Sequence, residues 1–168
     1  FIIAGYTSSF GAGSSDVFLI KTDTNGDSLW TKTYGGLYGD EGQSIQQSND
    51  GGYIILGYTE VSVQVKTDIY LIKIDANGDS LWTKTFGGSG WEEGKSIKQT
   101  SDEGFIILGW SDSFAGGTIY SDFYLIKTDS YGNSGCNESR RATIVTSPAT
   151  QITSPATIVT SPNTIVTN

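Results

Sequence analysis

The chain has 168 residues, with 10 Lys+Arg against 18 Asp+Glu, a net charge of −8, no His, no Met and a single Cys. That length suits one domain with a sizeable core, and the charge argues against a nucleic-acid backbone or an anionic membrane surface as partner. Without His, a Ser-His-Asp triad, a Cys-His pair or a His-based zinc site cannot be assembled from this chain alone, and no apolar run nears the ~18 residues of a transmembrane helix, so no membrane insertion is expected. The chain opens in mid-strand at Phe1-Ile2-Ile3-Ala4 with neither an initiator Met nor a signal-peptide pattern, so a piece of a longer protein is expected.

In chain order, the first apolar run, Phe1 to Tyr6, returns as Tyr53 to Tyr58 and as Phe105 to Trp110, 52 residues apart each time. Units therefore start at 1, 53 and 105, and a fixed period of this size signals a repeat architecture. Residues 16–34 follow and match 68–86 at 14 of 19 positions. Each of these stretches holds two strand signals around Asn25-Gly26 or Asn77-Gly78, a dipeptide that predicts a type I′ hairpin with positive φ at both central residues. Residues 41–59 then match 93–111 at 11 of 19 positions. The unit thus predicts four strands, named a to d, at 41–48, 53–59, 68–75 and 80–86, with a repeated at 93–100. In strand d, Trp82, Lys84 and Phe86 share one face, and Leu81, Thr83 and Thr85 the other. Ile54, Ile55, Leu56, Leu71, Ile72, Leu81 and Trp82, with their counterparts, form the predicted core. Gly42, Ser44, Gly94 and Ser96 are the small residues expected on an innermost strand a.

A four-stranded meander with tight joins, repeated about every 50 residues, describes a β-propeller blade. The fold class expected is all-β, a propeller fragment of about 2.7 four-stranded blades over residues 1–135 with an extended tail over 136–168. The first blade lacks a, and the third has no recognisable d after Tyr131-Gly132-Asn133. The remaining blades of the ring are expected elsewhere. The string Asp-x-Tyr/Phe-Leu-Ile-Lys-x-Asp-x-Asn-Gly-Asp-Ser-Leu-Trp-Thr-Lys-Thr-x-Gly-Gly, followed by Glu-Gly-x-Ser-Ile and Asp-x-Gly-Tyr/Phe-Ile-Ile, resembles the bacterial β-propeller repeat family of the SBBP type. That resemblance covers residues 1 to about 135. It implies a secreted or cell-surface bacterial protein, of a kind that often carries a C-terminal sorting domain for type IX secretion, and it assigns no reaction.

The tail changes material. Thr146-Ser147-Pro148, Thr153-Ser154-Pro155 and Thr160-Ser161-Pro162 recur every seven residues, and all 3 prolines lie here. Proline once per heptad forbids a helix. A stiff extended linker, a glycosylated stalk and an added strand on a sheet edge all fit that composition. Cys136 stands alone, which in an exported protein points to a partner elsewhere. Asn137-Glu138-Ser139 matches a glycosylation sequon.

Four features are candidates for chemistry. Asp23, Asn25 and Asp27, and Asp75, Asn77 and Asp79, offer oxygens at the first, third and fifth places of a calcium loop but lack its later glycine and glutamate. The competing reading gives those side chains to the amides of the hairpin turn, and no metal or other cofactor is expected. Around Trp30 and Trp82 the sequence also resembles the tryptophan-docking motif of quinoprotein dehydrogenases and, more loosely, the Asp-box of sialidases. Both imply packing that fastens strand d to its neighbour. Asp40-Glu41 and Glu92-Glu93 are adjacent carboxylates, but neighbours on a strand point to opposite faces and the pair recurs in each unit, as scaffold residues do. Finally, the b–c connections differ between units. Phe10, Phe114 and Tyr120 there, and Trp91 on a d–a loop, are candidate binding-loop aromatics.

The function expected is a non-catalytic binding or structural module of a secreted or cell-surface protein, with a protein or glycan ligand. The alternative is the propeller portion of an extracellular hydrolase, peptidase or quinoprotein-like enzyme whose catalytic residues lie elsewhere.

Overall fold

The structure is a computed structural model that describes residues 1–61, 66–114 and 121–134. The tail, Cys136, the sequon and Tyr120 lie outside the described residues. The fold is all-β. Among the described residues ten strands form three antiparallel sheets: β1 (Ile2–Thr7), β2 (Asp16–Thr22) and β3 (Ser28–Tyr34) in sheet 1; β4 (Asp40–Gln47), β5 (Tyr53–Glu60), β6 (Thr67–Ile74) and β7 (Ser80–Phe86) in sheet 2; β8 (Glu92–Gln99), β9 (Phe105–Ser111) and β10 (Asp122–Thr128) in sheet 3. Each sheet is a meander in chain order. Among the described residues sheet 1 has three strands, and beside β10 of sheet 3 there is one isolated bridge, Thr128 to Ser134. Strands a and c each begin one residue earlier than the sequence predicts, because Asp40 pairs with Thr59 and Thr67 with Glu60. Among the described residues no helix is long and apolar enough to cross a membrane.

Sheet 2 is apolar on both faces, and the alternation along its strands divides it between two cores. Ile54, Leu56, Ile69 and Leu71 pack with Ile97, Phe105, Ile107, Tyr124 and Ile126 of sheet 3. Tyr53, Ile55, Tyr70 and Ile72 pack with Val17, Leu19 and Tyr34 of sheet 1. Sheets 1 and 3 therefore cover sheet 2 from opposite sides. Glycine on strand a permits this approach. A Cβ at Gly94 would stand 2.6 Å from Leu56 Cδ1, and one at Gly42 would stand 3.0 Å from the Gly5 carbonyl oxygen.

Three expectations are corrected. Leu81, expected in the core, is 57% exposed, and its counterpart Leu29 is 60% exposed. The pairing of β6 with β7 steps from Lys73–Trp82 to Ile74–Ser80, so Leu81 is the extra residue of a bulge with no partner opposite it; Leu29 is skipped in the same way between Lys21–Trp30 and Thr22–Ser28. Ile106, Leu108 and Leu125, counterparts of buried sheet 2 residues, are also exposed, because they lie on the face of sheet 3 turned away from sheet 2. The c–d joins are not type I′ turns. Only the glycine has positive φ, 91° at Gly26 and 83° at Gly78. The Asp23 amide donates to the Asp27 carbonyl and the Gly26 amide to the Asp23 carbonyl, the three-residue loop of a type I turn closed by a glycine bulge. The a–b turns share this plan, with Gly51 at φ 82° and Glu103 in its place at φ 66°.

Trp82 sits at the edge of the core between sheets 2 and 3, its ring edge-on to Phe105 with centroids 6.2 Å apart. Replacing Trp82 with Ala should lower stability by about 3 kcal/mol in chemical unfolding, whereas Leu81→Ala should change it by less than about 0.5 kcal/mol. Equal losses for the two would contradict this division of strand d.

Candidate functional site

The strand ends gather the candidate groups at two places. At one end lie the c–d turns. Asp23 Oδ1 accepts from the amides of Asn25 at 2.8 Å and Asp27 at 2.9 Å. Asp75 does the same with Asn77 and Asp79, both at 2.8 Å, and Asp129 with Tyr131 and Asn133. The first carboxylate of each suspected calcium loop is thus turned onto turn amides. Those donors, the Asp79 amide first, hold the Asp75 carboxyl below the usual carboxylate range; the Asn133 amide does the same for Asp129. Among the described residues no group of three or more Cys, Asp or Glu side chains is placed to hold a metal ion.

The second and third turns are also latches. Strand β3 of sheet 1 reaches the turn of sheet 2: the Tyr34 hydroxyl donates to the Gly78 carbonyl at 2.6 Å, and Lys32 Nζ donates to Asp79 Oδ1 at 2.7 Å. A Cβ at Gly78 would stand 3.1 Å from the Trp30 ring. Strand β7 repeats the contact on the next turn, with Lys84 Nζ donating to Asn133 Oδ1 at 2.9 Å and the Trp82 ring 2.7 Å from where a Gly132 Cβ would be. Trp30 and Trp82 therefore rest against glycines of the following unit, which fits the packing role given to the docking motif. The Trp was legible in the sequence. Its companions were missed: the lysine two residues on, and Tyr34, which becomes Phe86 and loses its hydrogen bond.

At the opposite end the b–c connections meet the d–a joins. The Glu60 amide donates to the Gly39 carbonyl at 2.8 Å, and the Asp112 amide to the Trp91 carbonyl at 2.9 Å. Asp40 and Glu92 open strands β4 and β8 here and are buried, whereas Glu41 and Glu93 point the other way and are half-buried. Asp40 Oδ2 accepts from the Gly36 amide at 2.8 Å, and Glu92 Oε2 from the Gly88 amide at 2.9 Å. Glu92 Oε1 also accepts from the Ser111 hydroxyl at 2.6 Å and the Ser113 amide at 3.2 Å. Glu93 accepts from the Trp110 ring nitrogen at 3.0 Å and pairs with Lys95. Gly35 has no room for a side chain, since a Cβ there would stand 2.7 Å from Asp40 Oδ2 and closer still to Asp16. Asp16, itself buried, thus lies beside Asp40. The sequence signals for this cluster were the Gly-Gly pairs at 35–36 and 87–88 and the aspartate at 16 and 68.

The aromatic candidates lie at this same end. Phe10 is 43% exposed and leans on Phe18, and Phe114 is 49% exposed and leans on Tyr124. Each ring is therefore partly packed on its own sheet and partly open to solvent. Trp91 is 44% exposed, on a loop bonded to that of Phe114. The structure brings Trp91 and Phe114 onto adjoining loops and leaves Phe10 with sheet 1.

Among comparisons with known proteins, no family model matches the chain. Regulatory protein FlaEY of Caulobacter vibrioides is 27% identical over 123 residues, covering 66% of this chain. The chain spans only 13% of that protein's length.

Burial pushes the Asp40 carboxyl up from 3.8 to about 6, against the opposing bonds from Thr59 and Gly36, with the nearby Asp16 and Glu60 charges adding to the rise. The folded chain then holds this proton where the unfolded chain has released it. Stability should fall as pH rises from about 4 to 6 and level off above. Asp40→Asn keeps an acceptor for Gly36, so at pH 7 it should be more stable than the parent by about 3 kcal/mol, with most of the difference gone near pH 4. Chemical unfolding at both pH values checks this, and parallel pH profiles for the two proteins would contradict it.

Proposed function

We propose that residues 1–135 are successive blades of a β-propeller and act as a non-catalytic binding or structural module of a secreted or cell-surface bacterial protein, of the SBBP type and exported by a type IX route. The stacked four-strand pattern, the 52-residue period and the latch from each last strand to the next turn all support a propeller. One observation carries the functional half. The charged groups that could do chemistry recur once per unit and are bonded into turns and strand starts, while the half-exposed rings Phe10, Trp91 and Phe114 stand on variable loops at one end. Rigid strands that present divergent loops with aromatic faces suit recognition of a glycan or a protein surface.

The test uses labelled chain on glycan and peptide arrays, with product release measured on every ligand found. The reading expects binding without turnover, and a loss of at least tenfold in affinity in a Phe10→Ser, Trp91→Ser, Phe114→Ser variant that melts like the parent. Product release by the chain that disappears in Glu92→Gln, or binding unaffected by the loop variant, would overturn it.

A further inference from the structure

We infer that copies of this chain associate head to tail, the outward face of sheet 3 in one copy seating on the outward face of sheet 1 in the next. The observation is a residue-by-residue match between one covered interface and two faces that no other described sheet covers. Between sheets 2 and 3, Ile54, Leu56, Ile69 and Leu71 meet Phe105, Ile107, Tyr124 and Ile126. Sheet 3 carries the first set again on its other side, as Ile106, Leu108, Phe123 and Leu125. These are 36%, 37%, 85% and 60% exposed. Sheet 1 carries the second set on its outer side, as Phe1, Ile3, Phe18 and Ile20. Phe1 and Ile3 are 79% and 54% exposed, and Phe18 and Ile20 are half-buried. Each end of the stack thus presents one half of an interface that the chain already forms internally.

The match is of shape and alternation, Ile/Leu/Phe against Phe/Ile, and both halves occur in this sequence. A second copy supplies the complement without any new surface. Because the two halves are different patches, the contact is heterologous and does not terminate at a dimer unless a ring closes. It lacks the Trp latch, since among the described residues sheet 3 has no fourth strand to reach the Asp23–Asp27 turn. It should therefore be weaker than the internal interfaces and appear as concentration rises. The inference rests on the sheet-to-sheet pairing alone and not on a closed propeller or on any ligand, so its failure would be distinct from failure of the binding reading.

Sedimentation velocity on the full 168-residue chain, from low to high micromolar, is the test. The weight-average mass should rise from 18.0 kDa to at least twice that value. Phe123→Asp with Leu125→Asp, and separately Phe1→Asp with Ile3→Asp, should each stay at 18.0 kDa at every concentration. All four side chains are exposed, so the melting temperatures should match the parent; if a double variant melts early, the single change Leu125→Lys or Ile3→Lys replaces it. Mixing the two variants should restore a one-to-one pair, because each keeps the face the other has lost. A parent that remains at 18.0 kDa throughout would overturn the inference, including where the chain's own remaining residues cover the face. So would a Phe1/Ile3 variant that still self-associates, which would mean like faces pairing with like.

Discussion

Strands β5 and β6 carry apolar side chains on both of their faces, and a single layer of strands has no interior in which to hide them. Sheet 2 can leave water only if another sheet lies on each side. Ile54 and Leu56 go to one neighbour and Ile55 and Tyr53 to the other, a division forced by the two-residue period of a strand. The other features follow from that constraint. Strand a must be small at Gly42 and Gly94 so that the sheets can close on each other. The last strand must reach across to the next turn to fix the angle at which they meet. The carboxylates at Asp40 and Glu92 sit where one sheet ends and the next begins, accepting from the glycine amides that make the crossing.

This arrangement separates holding from presenting. The end that carries the c–d turns is occupied by latches, where Asp75 and Asp129 order their own loops and Lys32 and Lys84 join them to the previous sheet. The other end carries loops of different length and composition above buried carboxylates. The rings at Phe10 and Phe114 are each about half exposed and each touch one aromatic ring of their own sheet.

Much of this was legible in the sequence because the repeat states it two or three times. The strand positions, the three described strands of sheets 1 and 3 against four in sheet 2, and the opposed directions of Asp40 and Glu41 follow from period and alternation. What failed to show were features set by pairing rather than by pattern. Leu81 reads as a core residue until the bulge removes its partner, and nothing in Ser-Leu-Trp marks that skip. Asn-Gly reads as a type I′ turn, but Asp23 and Asp75 capture the turn amides and hold the asparagine at negative φ. The bond from Tyr34 to Gly78 joins residues 44 apart, and local sequence carries no record of it. At the candidate site the aromatic loops were visible as the places where the units diverge, whereas the buried Asp16–Asp40 neighbourhood emerged only when the Gly-Gly join was folded over it.

The central claim is that the sheets are stable only as a stack, with sheet 2 dependent on both neighbours. Native-state hydrogen exchange measures this most directly. The amides of β5 and β6 should exchange only through global unfolding, with the same free energy and denaturant dependence throughout both strands, while amides of β1 and β10 open at lower cost. Three sheets that exchange as independent units, with β5 and β6 no better protected than β9, would contradict the account.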